Sequence, residues 1–343
     1  MEAIDFVVTW VDGEDAAWVQ EKNRYERMES SYKGGEENSD CRYRNDGFLR
    51  YWFRSIERYA PWVNTIHFVT CGHKPEWLNE KHPRLNLVSH SDYIPADFLP
   101  TFNSRTIELN LHRIKRLSER FVLFNDDEFL LRPVSPDFFF KKGNPVLDTD
   151  LKYPKVSYGN FSRVTFNNYC LINDSFDIKK SLWSNREKWF NVSSLGIRRA
   201  GNNFINFLVN KTLPLFQYGH VALPHLKSSF YEVWDRWPDI MNTTCMHKFR
   251  ADDQVNQCIL SAWNQAKGLF YPANKKRLGK RIWISPGNLN SILDTIKSDN
   301  TPQICINDTR FNTEPERSFA MIREAFQHVF PDRSQFEKWE EKE

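Results

Sequence analysis

Through the first 150 residues, short apolar runs without period alternate with stretches of helical period. Ile4–Trp10 (IDFVVTW) is β-branched and aromatic with no 3.6-residue repeat, which predicts a buried strand. It stops at Val11-Asp12-Gly13-Glu14-Asp15, a turn placing carboxylates past a strand's carboxyl end, where open α/β sheets bind ligands. Ser30–Asp40 is polar and glycine-containing, hence a loop. Asp46–Tyr59 sets Leu49, Phe53 and Ile56 on one face and Arg50, Arg54 and Glu57 on another, a helix stopped by Pro61. Thr65–Thr70 and Arg84–Ser89 read as strands around a short helix at Pro75–Asn79. Asn103–Ser118 spaces Ile107, Leu111, Ile114 and Leu117 as a helix, and strand Phe121–Asn125 ends in Asp126-Asp127-Glu128. This alternation predicts an α/β fold with a Rossmann-like, mostly parallel sheet.

Beyond Pro133 the pattern loosens. Asp148–Asn173 mixes β-prone runs with turns, Ile178–Asn210 is helical in two pieces, and Leu226–Trp237 and Ala251–Ala266 predict helices. Arg281–Ser285 and Ile304–Asn307 predict strands, the latter running into Asp308. A last helix opens on a capping box, Thr313 with Glu316, and carries Phe319, Ile322, Phe326 and Val329. The expected organisation is a Rossmann-like half at 1–150, a helical insertion at 151–215, and a second half at 216–343 that completes the first.

Composition narrows the function. With 47 Lys+Arg against 44 Asp+Glu the net charge is +3, which argues against nucleic-acid binding. Only 13 glycines occur, with no Walker A or GxGxxG pattern, which removes the commonest phosphate cradles. The six cysteines show neither CxxC nor zinc spacing and read as reduced thiols. No apolar run suits a membrane span or signal peptide, so the expected location is cytoplasmic, with at most peripheral contact with a membrane. Lys275, Lys276, Arg277, Lys280 and Arg281 form a basic run suited to anionic lipid or to solvent.

Several residues have types suited to chemistry. Asp126, Asp127 and Glu128 suit Mg²⁺ or Mn²⁺ as readily as a solvated turn, and Asp12, Glu14 and Asp15 belong at the same sheet edge. Glu108 and His112 are four apart, a catalytic or a surface pair. Arg42, Arg44, Arg50 and Arg54 offer bidentate donors for phosphate. His220, His225 and Arg250 are of the types that serve as base and as charge stabiliser in phosphoryl transfer.

Four stretches together carry a resemblance: IDFVVTWVDGED with Trp18 following, NDGFLRYWFRSIERYAPWVNTIHFVT, HKPEWLNEKHPRLNLVSHSDYIP, and LPTFNSRTIELNLHRIKRLSERFVLFNDDEFLLRPV. Over Ile4–Val134 the chain resembles the first two regions of the Stealth proteins, the hexose-1-phosphate transferases. That family includes bacterial capsular polysaccharide phosphotransferases and the catalytic subunit of the lysosomal-enzyme N-acetylglucosamine-1-phosphotransferase. His220–Asp253 and Ile304–Asp308 resemble its third and fourth regions more thinly. Ala16 stands where the family often has proline, and Thr309 where it often has asparagine.

The resemblance implies a glycosyltransferase-A-like fold with essential residues at Glu108, Asp127, His220 and Arg250, His225 being the alternative histidine. The expected substrate contacts are Asp12, Gly13, Arg44, Arg50, Arg54, Asn103, His112 and His225. Mg²⁺ or Mn²⁺ would be held by Asp126, Asp127 and Asp308. The implied partners are a nucleotide-sugar donor, UDP-GlcNAc or similar, and a glycan or polysaccharide hydroxyl; oligomeric state stays open. The rival readings are a metal-dependent glycosyltransferase releasing UDP and a non-catalytic glycan-binding protein that stacks sugars on its aromatics.

Overall fold

The computed structural model describes residues 2–29, 36–152, 160–209, 215–216, 221–274, 278–298 and 300–339. His220 and the basic residues Lys275, Lys276 and Arg277 lie outside the described residues.

A five-stranded sheet organises the chain. Strands β1 (Ile4–Thr9), β2 (Ile66–Thr70), β3 (Leu85–Ser89) and β4 (Arg120–Asn125) are parallel, in the order β4-β1-β2-β3. β1 is buried from Ile4 to Val8 because both its faces are covered, its one charged residue, Asp5, being paired with His67. Phe6 and Val8 pack on one side with helix α2 (Leu49–Tyr59) and the C-terminal helix Pro315–Val329, while Val7 faces a second core built around helices Lys227–Arg236 and Cys258–Lys267. Helix α1 (Ala16–Met28) is capped by Asp15, whose Oδ1 accepts from Trp18 N at 2.7 Å.

Directly after β4 the chain reverses into β5 (Glu128–Leu130). A strand absent from the sequence reading, β6 (Leu223–Leu226), closes the outer edge of the main sheet antiparallel to β4. Pro224 disguises it, and an edge is where a strand tolerates proline. β5 joins a second, three-stranded sheet with β7 (Lys280–Trp283) and β8 (Gln303–Asn307). Residues 216–343 therefore complete sheets that residues 1–150 begin.

Local chemistry moves several expected boundaries. The helix expected over Asn103–Ser118 is only α3 (Ser104–Leu109), followed by a 3-10 turn at Leu111–Arg113. Asn110 ends it: its Nδ2 donates to Thr106 O at 2.8 Å and its Oδ1 accepts from Arg113 Nε at 3.0 Å. The helix expected from Ala251 begins at Cys258, since Asn256 Oδ1 turns back to accept from Cys258 N at 3.2 Å. Pro75–Asn79 is a turn with an isolated bridge, Leu78 to Glu337. The expected capping box is not formed; the last helix starts at Pro315, whose fixed φ suits a first helical position.

Candidate active site

The parallel register sets the site. Thr9 stands opposite Asn125 at the carboxyl ends of β1 and β4, so the turns Asp12–Asp15 and Asp126–Glu128 leave the sheet side by side. β8 brings a third element there through Ile306 N, which donates to Asp127 O at 2.8 Å, so that Asn307 Nδ2 reaches Asp127 Oδ2 at 2.9 Å. Glu128 is held in the turn, Oε2 accepting from Asn125 N at 2.9 Å.

Several carboxyls are crowded and buried here, and each resists losing its proton. Burial, then the Asp127 charge, pushes Asp126 up to about 7. Burial raises Asp127 despite its bonds from Asn307 and Cys305, and burial together with Asp127 holds Glu128 well above the carboxylate range. Asp46 joins them, raised by burial and then by Asp126, Asp127 and Asp308. Asp127 Oδ1 is buried with no hydrogen-bond partner among the described residues.

Residues 37–45 cross this edge as a strap. At one end Arg250 Nη1 donates to Glu37 O at 2.9 Å and Asn38 Nδ2 to Arg250 O at 3.1 Å. At the other, Arg42 Nη1 reaches Asn307 Oδ1 at 3.4 Å and Arg44 Nη1 reaches Asp308 Oδ2 at 3.0 Å. Gly13 makes room for the strap: a Cβ there would lie 1.8 Å from Tyr43 O, so Gly13→Ala must displace the backbone between Arg42 and Arg44.

Glu108 sits on α3, buried beneath the first end of the strap. Arg250 Nη2 donates to Ser104 Oγ at 2.8 Å, and Ser104 in turn hydrogen-bonds the Glu108 carboxylate. Burial raises Glu108 to about 7 against the opposing charges of Arg250 and Arg105. The two ends of the site are in electrical contact, since the Glu108 charge contributes to raising Glu128.

The structure thus brings together Glu108, Asp126, Asp127, Arg250, Arg44, Asp12, Gly13 and Asp308. It does not bring Arg54, Asn103, His112 or His225 to that edge with a free polar group. Arg54 is 6% exposed and forks onto Glu337, Nε to Oε1 at 2.7 Å and Nη2 to Oε2 at 2.9 Å, tying α2 to the C-terminal segment. Arg50 lies over Trp77 with Nε 3.5 Å from Glu337 Oε2. Breaking such a buried pair costs about 3–5 kcal/mol, so Arg54→Ala should lower the urea midpoint strongly while KM for the donor stays unchanged. A raised KM at unchanged stability would return Arg54 to the substrate.

Asn103 is fully buried, capping α3 through Arg105 N and holding Gln254 Oε1 at 3.3 Å, so it positions the Arg250 segment. His112 leaves α3 at the Asn110 turn, and its ring packs among Phe230, Tyr231 and Trp234 rather than on Glu108. His225 pairs with Phe121 at the amino end of β4, far along the strand from Asp126; burial drops its pKa to about 3. Asp308 has its carboxylate occupied by Arg44, Thr309 N and Asn312 Nδ2.

The sequence reading did not single out Asp46, Glu37, Ser104, Arg105 or Cys305. Asp46 stands at the head of an amphipathic helix where a cap is the ordinary reading; Cys305 is a lone thiol in an apolar strand. A divalent cation fits the carboxylates, which need positive charge and include an orphaned oxygen. Asp127, Glu128 and Cys305 offer one ligand atom each within 4.8 Å of one another, but burial and the Asp127 charge keep the Cys305 thiol protonated. With the thiol protonated, the donors left for a cation are carboxylate oxygens.

Comparisons with known proteins bear on the family of the chain. The family models for conserved regions 1, 2 and 4 of the Stealth proteins match residues 2–30, 42–147 and 294–343. A capsular polysaccharide phosphotransferase WcwK of Streptococcus pneumoniae is 38% identical over 98% of this chain and 99% of its own. The receptor polysaccharide phosphotransferase WefC of Streptococcus gordonii is 34% identical over 98% and 99%, and the exopolysaccharide phosphotransferase cps2G of Lactiplantibacillus plantarum 35% over 98% and 96%. Among solved structures, the galactosyltransferase LgtC with donor and acceptor sugar analogues aligns at TM-score 0.40 and 10% identity over 93% of this chain and 95% of that one. On its full-length identity to these phosphotransferases, this chain belongs to the Stealth family.

Proposed function

We propose that the protein moves hexose 1-phosphate from a UDP-linked sugar to a hydroxyl of a bacterial surface polysaccharide. The acceptor oxygen bonds to the sugar-bearing phosphorus, the phosphoanhydride bond breaks, UMP leaves, and the acceptor proton passes to the enzyme. The observation that carries this reading is Glu108, a buried carboxyl at about 7 joined through Ser104 to Arg250 and helping, by its own charge, to raise Glu128. A base with a pKa near the working pH accepts a hydroxyl proton and is readily regenerated. Arg250, Arg42 and Arg44 supply the positive charge that a diphosphate and its transition state require.

Asp127 and Glu128, with Asp126, would hold Mg²⁺ or Mn²⁺, which supplies charge neutralisation to the diphosphate. Glu108 takes the proton or shares it with His220, the histidine that the family resemblance gives as essential. Transfer must then fall on the acid side of about pH 7 as Glu108 protonates, and Glu108→Gln should remove that limb with about 10²–10⁴ of the rate. A Glu108→Gln enzyme that keeps both limb and turnover, with His220→Asn abolishing them, would leave the histidine as sole base.

A further inference from the structure

The helix Ile197–Val209 is turned inside out relative to an ordinary surface helix. Its inward side sets buried Ala200 and the half-buried Phe207 beside asparagines: Asn203 is fully buried, donating to Thr149 O at 2.7 Å and Trp189 O at 2.8 Å and accepting from Leu151 N at 3.0 Å. Asn206 adds a bond to Leu151 O at 2.9 Å. These bonds fix the rotation of the helix, and they leave Ile197, Phe204, Ile205 and Leu208 outward on one stripe, Ile197 being 81% and Leu208 60% exposed.

The stripe continues onto its neighbours. Trp183 is exposed and stacks on Phe207 at 5.8 Å, with Phe190 edge-on to Phe204 at 5.5 Å. Cations border it: Lys179 Nζ lies 5.7 Å from the Phe207 ring and Arg186 Cζ 5.5 Å from the Trp183 ring, while Lys180 and Arg198 are exposed. Residues 160–209 hold seven Lys/Arg against three Asp/Glu in a chain whose net charge is only +3. No described helix is long and apolar enough to cross a membrane.

We infer that this face is a membrane-docking surface that lies on a bilayer containing anionic phospholipid. An apolar stripe edged with tryptophan and long cationic side chains matches the headgroup boundary, where the stripe enters the acyl region and the cations meet phosphates. A symmetric dimer through the same face would set its basic rims against each other, so charge complementarity selects the lipid. The inference is independent of which sugar the enzyme transfers.

The test is cosedimentation of the whole protein with vesicles of phosphatidylcholine alone or with one quarter phosphatidylglycerol. The protein should sediment with the anionic vesicles and bind neutral ones weakly. Ile205→Asp with Leu208→Asp should weaken binding by about ten-fold or more, and Lys179→Glu with Lys180→Glu should erase the preference for the anionic lipid. Circular dichroism and turnover of a soluble acceptor check that both variants remain folded. Absent vesicle binding by the wild type, or equal binding by the variants, would overturn the proposal. So would a wild-type dimer in light scattering that the aspartates split without changing sedimentation.

Discussion

Arg250→Ala is expected to lower kcat by about 10³-fold or more, the scale seen when an arginine that stabilises phosphoryl-transfer charge is removed. Its position explains why the loss is large. The guanidinium contacts Ser104 on α3 and Glu37 on the strap at once, so it both presents positive charge and joins the two walls of the site. Its charge also holds the Glu108 pKa down against burial. The residual activity of Arg250→Ala should therefore show its acid limb shifted to higher pH. Arg250→Lys should return the limb toward its original position but little of the rate, since an ammonium replaces the charge and not the fork. A steady-state assay across pH reads both effects; an alanine variant with near-normal kcat removes Arg250 from the scheme.

Asp127→Asn should cost about 10³-fold in kcat, the several kcal/mol that metal-held charge supplies, yet stabilise the metal-free fold. Asp126, Asp127, Glu128 and Asp46 all have folded-state pKa values raised above their ordinary ones. Between the ordinary and raised values the folded chain binds more protons than the unfolded chain, so stability falls as pH rises through that window. An asparagine deletes one of these charges while its carbonyl keeps the bond from Asn307. In chelated buffer at pH 8 the variant should melt above the wild type. Added Mg²⁺ or Mn²⁺ should raise the wild-type Tm and leave the variant's nearly unmoved, because only a site that binds the ion gains by mass action. Equal metal responses in a destabilised variant would place the ion elsewhere.

The strand ends were legible in the sequence because an apolar run broken by consecutive carboxylates has few alternatives. Ile4–Trp10 with Asp12–Asp15, and Phe121–Asn125 with Asp126–Glu128, meet in register as that reading requires. Glu108, Asp127 and Arg250 followed from the family resemblance rather than from local pattern; individually each is an ordinary charged residue. What stayed hidden is tertiary. The helix containing Glu108 ends at an Asn110 side-chain turn, and that break sends His112 into an aromatic box instead of onto the Glu108 face. Arg54 looked like a phosphate ligand because its partner, Glu337, is remote in sequence. Asp46 and Cys305 enter the acidic cluster only through packing across β5 and β8. Ile178–Asn210 read only as helical in two pieces, because periodicity reports a face and not its direction.

Attack on the sugar-bearing phosphorus, and not on the anomeric carbon, decides where an isotopic label goes. It is tested most directly with a UDP-sugar carrying phosphorus-32 in the phosphate bonded to the sugar, incubated with the purified protein, Mg²⁺ and a polysaccharide acceptor. The label should enter the polysaccharide as a phosphodiester, with unlabelled UMP released in equal amount. Label remaining in UDP while unlabelled sugar enters the polymer would contradict the account and make the protein a glycosyltransferase.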